Sequence, residues 1–369
     1  MGYRPPMCAG RMIDALLTDL SRPDGPEDPS AVASAWVGPD RGRTRDAVGR
    51  HRLEAVTADA LRRAGAPPDP ELDLLVADDR RVRLLAGRAL TTAASALADR
   101  DVPWLVFKGP SIARLMPRPE LRTFNDLDLL VAGPALGEAI DALVDVGAEE
   151  LNENWTPYLR HRVGEVPMVM FGVTVDLHWH LPPPVAMLDR RVERTIADRA
   201  TPVFDPIDQL LHLSVHAALG GGTRLDQFRD VAVVASGEAI DWDRFVDRAR
   251  TAWVDGLVGH LLDRATLAGP ASVPEEVVRD LAGDGSLRRR RRIDRGRVDG
   301  LRSLPVLWRR RRRRDVARVL VRRGLDRAAG PLHRGWDFTE PRSRLYHAHP
   351  SGGAAGRQAY LDAVAAGRL

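Results

Sequence analysis

Apolar residues recur at steps of three and four through 52–64 and again through 72–99, where Leu84, Leu85, Leu90 and Leu97 mark the inner face. That spacing predicts two amphipathic helices, the second long and ending near Arg100-Asp101, ahead of Pro103. Residues 21–48, rich in Pro, Gly, Asp, Ser and Arg with little periodicity, read as loop or disordered linker. The period then shortens. Trp104-Leu105-Val106-Phe107 reads as a strand closed by Gly109-Pro110, residues 111–116 as a short helix stopped at Pro117, and 127–131 as the next strand. An amphipathic helix over 134–146 ends at Gly147, and strands over 166–171 and 173–179 flank Gly172 as a hairpin. From Pro206 the helical period returns over 207–218, 225–234, 242–250 and 254–267.

This order predicts an α/β (α+β) fold: a small mixed sheet with flanking helices, an appended helical bundle and an Arg-rich C-terminal region. The expected divisions are a flexible region over 1–50, N-terminal helices over 51–100, the α/β domain over 101–200, a helical domain over 201–285, and a basic, partly disordered region over 286–369. The chain's 369 residues, 44% of them hydrophobic, can fill such cores. Cys8 is the one cysteine, so no intrachain disulfide or cysteine zinc site is expected, and a reducing cytoplasm is the expected location. No run approaches about 18 apolar residues, and no apolar signal core follows a basic flank, so no membrane partner is expected.

The net charge of +4 conceals a division. Residues 285–345 hold 21 arginines and 6 acids, a net of +15, and the remainder carries −11. The arginine runs 288–292 and 309–314 repel themselves and read as a solvated tail; contact with nucleic acid or acidic protein is the weaker reading, because no aromatics interleave for base stacking. Among 55 basic residues only Lys108 is a lysine, and it stands in Val106-Phe107-Lys108-Gly109-Pro110-Ser111, just ahead of an acid pair. Lysine brings a compact point charge where arginine brings a planar fork.

Strand alternation in Asn125-Asp126-Leu127-Asp128-Leu129 puts Asp126 and Asp128 on one face. Two carboxylates so placed suit hard divalent cations, with phosphate oxygens completing the coordination. In Val175-Asp176-Leu177-His178-Trp179-His180 the same alternation gathers Asp176, His178 and His180, while Val175, Leu177 and Trp179 turn inward. If the two strands pair, Asp176 becomes a third carboxylate. Gly109 lets backbone approach a phosphate that Lys108 can neutralise, while Ser111 reads first as a helix cap. Arg122 is expected either to reach phosphate or to balance Asp126 and Asp128. His212 and His216, four apart, read as packing residues, since no glutamate follows His212 as a zinc-protease helix requires.

The ordered set Leu105-Val106-Phe107-Lys108-Gly109, Leu121-Arg122, Asp126-Leu127-Asp128-Leu129-Leu130-Val131 and Val175-Asp176-Leu177-His178-Trp179 resembles the uncharacterised nucleotidyltransferase family of the DNA polymerase beta superfamily. The segments 206–216 and 225–230 extend that resemblance, which covers roughly residues 75–265. Better-known members carry Gly-Ser or Gly-Gly at the turn, where this chain has Lys108-Gly109-Pro110-Ser111. The resemblance implies Asp126, Asp128 and Asp176 as catalytic, metal-holding carboxylates for Mg²⁺ or Mn²⁺. It implies a nucleotide seated by Lys108, Gly109, Ser111, Arg122 and His178. The implied reaction moves a nucleoside monophosphate from an NTP, ATP first among them, to a small-molecule, peptide or protein acceptor. Two other readings remain: a non-catalytic binding module of the same shape, and a transferase that modifies antibiotics or natural products.

Overall fold

In the computed structural model, residues 7–161, 163–181, 186–268, 272–294 and 352–369 are described. They fall into two units, each continuous in space but not in sequence. A sheet unit takes the described residues of Val82–Pro110, Asn125–Phe204 and Arg309–Leu369; a helical unit takes those of Met1–Arg81, Ser111–Phe124 and Asp205–Trp308.

The sheet unit contains β1 (Trp104–Phe107), β2 (Asp126–Val131), β3 (Glu149–Glu150), β4 (Glu165–Met170), β5 (Val173–His178), β6 (Val192–Ile196) and β7 (Arg199–Val203). They form one mixed sheet in the order β3-β4-β5-β2-β1-β7-β6. The fully apolar β1 lies inside it, antiparallel to β2 and parallel to β7, while β2 runs parallel to β5. Alternation sorts the two faces. Val106, Leu127, Leu129, Val131, Val175 and Leu177 join the main core, which is closed by Leu90, Leu97, Ile140, Leu143 and Tyr158 from the helices. Leu105, Phe107, Leu130 and Phe204 form a smaller cluster on the other face. A core leucine such as Leu129, fully buried, contributes about 2 kcal/mol by leaving water.

Two hairpins set the registers. Between β4 and β5 the linking residues Phe171 and Gly172 have φ of 53° and 79°, the left-handed pair whose twist matches the flanking strands. Ala197 and Asp198 do the same between β6 and β7, with φ of 49° and 59°. Nothing in the sequence pattern marked that second hairpin: its turn has no glycine, and β6 carries two adjacent charges, Glu193 and Arg194, that break apolar alternation.

The expected loop at 21–48 is instead helical over Pro29–Val37 and Arg41–His51. Its Asp, Pro and Gly residues are punctuation between short helices. Asp28 caps the first by accepting from the amides of Ser30 and Ala31, with Pro29 in the first turn. In the second, Thr44, Ala47, Val48 and His51 are buried at helical spacing. The expectation of a flexible stretch over 1–50 therefore fails for these helices. The basic region likewise departs from its reading near its end. Gly353–Ala365 is a helix whose Tyr360 enters the sheet unit's core, donating to the Val163 carbonyl (2.6 Å) and accepting from Trp179 Nε1 (2.6 Å). The arginines 309–314 lie outside the described residues.

The helical unit contains Pro206–Leu219, Leu225–Gly237, Trp242–Thr251 and Asp255–Ala268, close to the periodic segments. Asp205 and Asp241 cap the first and third through the amides of Asp208 and Arg244. A Cβ on Gly259 would lie 2.7 Å from the Ala282 amide nitrogen, so two helices meet there backbone to backbone. No helix among the described residues is long and apolar enough to cross a membrane.

Candidate active site

The candidate site grows from one register. Parallel pairing of β2 with β5 sets Asp128 opposite Asp176 and Leu130 opposite His178, so alternation brings the acids to the same face while the leucines between them enter the core. Antiparallel pairing of β1 with β2 ends at Phe107 opposite Asp128, which delivers Lys108 beside the acids. Lys108 has φ of 55°, a left-handed conformation that costs a non-glycine residue on the order of 1 kcal/mol.

Lys108 Nζ donates to Asp128 Oδ1 at 2.9 Å. His178 Nε2 lies 3.1 Å from the same oxygen, and its Nδ1 lies 3.4 Å from Glu165 Oε2. The edge of Phe107 meets the imidazole, with ring centroids 5.1 Å apart. Asp128 is 2% exposed, and its second oxygen, Oδ2, is buried with no hydrogen-bond partner among the described residues. Ligand atoms of Asp128, Asp176 and His178 all lie within 4.8 Å of one another. Asp126, one pleat earlier on the same face, is not in that group.

The charges do not balance locally. Burial works against ionising Asp128, but Lys108 and His178 hold its carboxyl well below the usual carboxylate range. Burial, then the neighbouring Glu165 and Asp128, push Asp176 up to about 8. Burial works against the charge of Lys108 and of His178, yet Asp128 keeps both above their ordinary values, with Glu165 adding to His178. Four carboxylates, Asp126, Asp128, Glu165 and Asp176, thus act on two cationic side chains, Lys108 and His178.

The remaining candidates are placed differently. Gly109 opens the five-residue helix Gly109–Ala113, and Pro110 sits in its first turn, where a missing N–H costs nothing. Ser111 does not cap this helix; it lies inside it, buried, and accepts from Gln209 Nε2 at 3.4 Å within the helical unit. Arg122, in that same unit, makes a forked pair with Asp230, Nε to Oδ1 at 2.9 Å and Nη2 to Oδ2 at 2.8 Å. His180 packs against Trp179, and His212 stacks on His216 with centroids 5.9 Å apart. Glu165 is the residue that sequence reasoning missed. The signal was available: counting outward from the two-residue turn at 171–172 puts 165 opposite 178, as the β4–β5 register has it.

None of the curated proteins matches this chain. Among solved structures, the antibiotic-resistance factor ANT(2'')-Ia is similar at 14% identity and a TM-score of 0.35, over 45% of this chain and 90% of that one. The family model described as "Uncharacterised nucleotidyltransferase" matches residues 40–283, two-thirds of the sequence, and the chain belongs to that family.

Proposed function

We propose that this chain is a metal-dependent nucleotidyltransferase that moves the nucleoside monophosphate group of an NTP, with ATP as first candidate, onto a hydroxyl or amine of an acceptor. One observation carries the reading: a buried Asp128, paired in register with Asp176, keeps an oxygen without a hydrogen-bond partner beside a second acid that burial and its carboxylate neighbours push up to about 8. Such a set fits a divalent cation. Asp128 and Asp176, with Asp126 beside them, would hold Mg²⁺ or Mn²⁺, which supplies charge neutralisation for the triphosphate and activation of the acceptor.

The chain's own residues have separable tasks. Lys108 is a point charge on a flexible stem, able to leave Asp128 Oδ1 for a phosphate oxygen when another cation answers that carboxylate. Asp176, whose proton is favoured first by burial and then by Glu165 and Asp128, becomes the base once that charge is answered. It then takes the acceptor's proton as the acceptor oxygen or nitrogen bonds to the α-phosphorus, and the α–β bridging bond breaks to release pyrophosphate. The −11 net charge outside 285–345 favours a cationic acceptor, a class that includes amine-bearing natural products.

The test is label transfer from α-labelled NTPs to cell extract with Mg²⁺ or Mn²⁺, comparing wild type with Asp126→Asn and Asp128→Asn. Loss of about a hundredfold or more is expected in Asp128→Asn, the size typical of removing one electrostatic stabiliser. Equal transfer by all three proteins would refute the enzymatic reading and leave the binding module.

A further inference from the structure

His178 is held more tightly than packing alone requires. The residue is 7% exposed, its ring edged by Phe107 and faced by a carboxylate at each nitrogen. The β4–β5 register fixes Glu165 opposite His178, and the β2–β5 register fixes Asp128 and Asp176 as neighbours, so all four groups are set by backbone pairing. We infer that His178 is a metal ligand through Nε2, completing a set with Asp128 and Asp176, and that Glu165 is the positioning residue that takes its Nδ1–H.

The chemistry follows from the imidazole. It would ligate through Nε2 while Nδ1 keeps its proton, the tautomer that Glu165 at Nδ1 favours, and the proton that Nε2 shares with Asp128 Oδ1 leaves as the cation enters. Nε2 lies 3.1 Å from Asp128 Oδ1, one ring nitrogen of His178 lies within 4.8 Å of ligand oxygens of both aspartates, and the unsatisfied Oδ2 of Asp128 gives the cation a buried oxygen. A mixed nitrogen and oxygen set favours Mn²⁺ over Mg²⁺, which prefers oxygen ligands and keeps its waters. Lys108 holds Asp128 Oδ1, so the first carboxylate oxygen open to an entering cation is the buried Oδ2. This inference rests on the proposed metal-dependent reading for the purpose of the ion, but not for its ligands.

The experiment uses the full chain with Mn²⁺ alone, without nucleotide. Mn²⁺ affinity is read from the free-ion electron paramagnetic resonance signal, and bound imidazole from ¹⁴N electron spin echo modulation. Wild type should show directly coupled nitrogen, and His178→Asn should lose it while binding Mn²⁺ about tenfold more weakly. Glu165→Ala should weaken binding by about tenfold, the lower end of what loss of an outer-shell partner costs, and Glu165→Gln, which keeps an acceptor, should recover part of that. Should Glu165→Ala fail to fold, the Gln variant carries the comparison, with an affinity between those of wild type and His178→Asn. Bound Mn²⁺ without nitrogen coupling, or no bound Mn²⁺, overturns the ligand assignment. Wild-type affinity in the Glu165 variants overturns the positioning role. Label transfer that proceeds with nitrogen-free Mn²⁺ sinks this inference alone; nitrogen-coupled Mn²⁺ in a protein that transfers no label sinks the proposed reaction alone.

Discussion

The two units treat buried carboxylates in opposite ways. In the helical unit Asp59, Asp205, Asp208 and Asp230 each meet an arginine shaped to satisfy them. Asp230 takes the fork of Arg122, Asp59 takes both terminal nitrogens of Arg118 at 2.5 and 2.6 Å, and Arg248 spans Asp205 and Asp208. In the sheet unit four carboxylates, Asp126, Asp128, Glu165 and Asp176, share the influence of one lysine and one histidine. Planar, bidentate pairs are settled structural joints. A site with surplus negative charge and a single ammonium is one prepared to exchange its cation.

The largest expected effect breaks a joint of the first kind. Arg122→Met leaves Asp230 unanswered and should cost about 3 kcal/mol, seen as a lower denaturant midpoint that Mn²⁺ does not restore. Lys108→Ala should cost about 2 kcal/mol or less, because Asp128 can then take a proton or a metal ion, and Mn²⁺ should recover most of the loss. The same variant should bind NTP about tenfold more weakly, the effect of one lost charge-assisted contact, and Lys108→Arg should restore that only in part. Equal metal rescue of the Arg122 and Lys108 variants would erase the distinction between the units.

The pH responses should also have opposite signs. Between about 4 and about 8 the metal-free folded protein keeps a proton on Asp176 that the unfolded chain has lost, so stability falls as pH rises through that window. Asp176→Asn should flatten this slope in urea titrations at pH 5 and 8 with a chelator present. In the helical unit burial works against Asp69, yet donation from Trp36 Nε1 and the Leu72 amide, with the Arg45 charge, holds its carboxyl below the usual value. Its contribution is present above about 3.8 and is lost as pH falls further, so Asp69→Asn should be less sensitive to acid. The smallest effect separates strain at a turn from strain at the site. Ala197→Gly, at φ of 49°, should stabilise the protein by about 0.5–1 kcal/mol without touching the acids.

Residues whose pattern followed one face were legible in the sequence. The strand of β1, the acids of β2 and β5 and the hairpin at Gly172 all declared themselves by alternation and a turn glycine. The parallel pairing that joins Asp128 to Asp176 stood only as a condition, because register between distant strands leaves no local mark. Arg122 and Ser111 were harder. Their partners Asp230 and Gln209 lie about a hundred residues further on, a distance at which no local pattern marks a pairing. The short helices of 29–51 were hidden by their own caps, since Asp, Pro and Gly signal a helix end and a loop alike.

Tyr360 has a consequence for how the protein is made. The last strand among the described residues of the sheet unit ends at Val203, but the helix that brings Tyr360 into that unit's core begins at Gly353, about 150 residues later. At roughly 5–20 residues per second, a ribosome needs on the order of 10–30 s to cover that interval. Throughout it, Trp155, Tyr158 and Trp179 wait with an aromatic socket unfilled. The face that carries the acids can therefore be assembled early in synthesis, while the layer beneath it stays a target for chaperones until the helix at Gly353–Ala365 emerges.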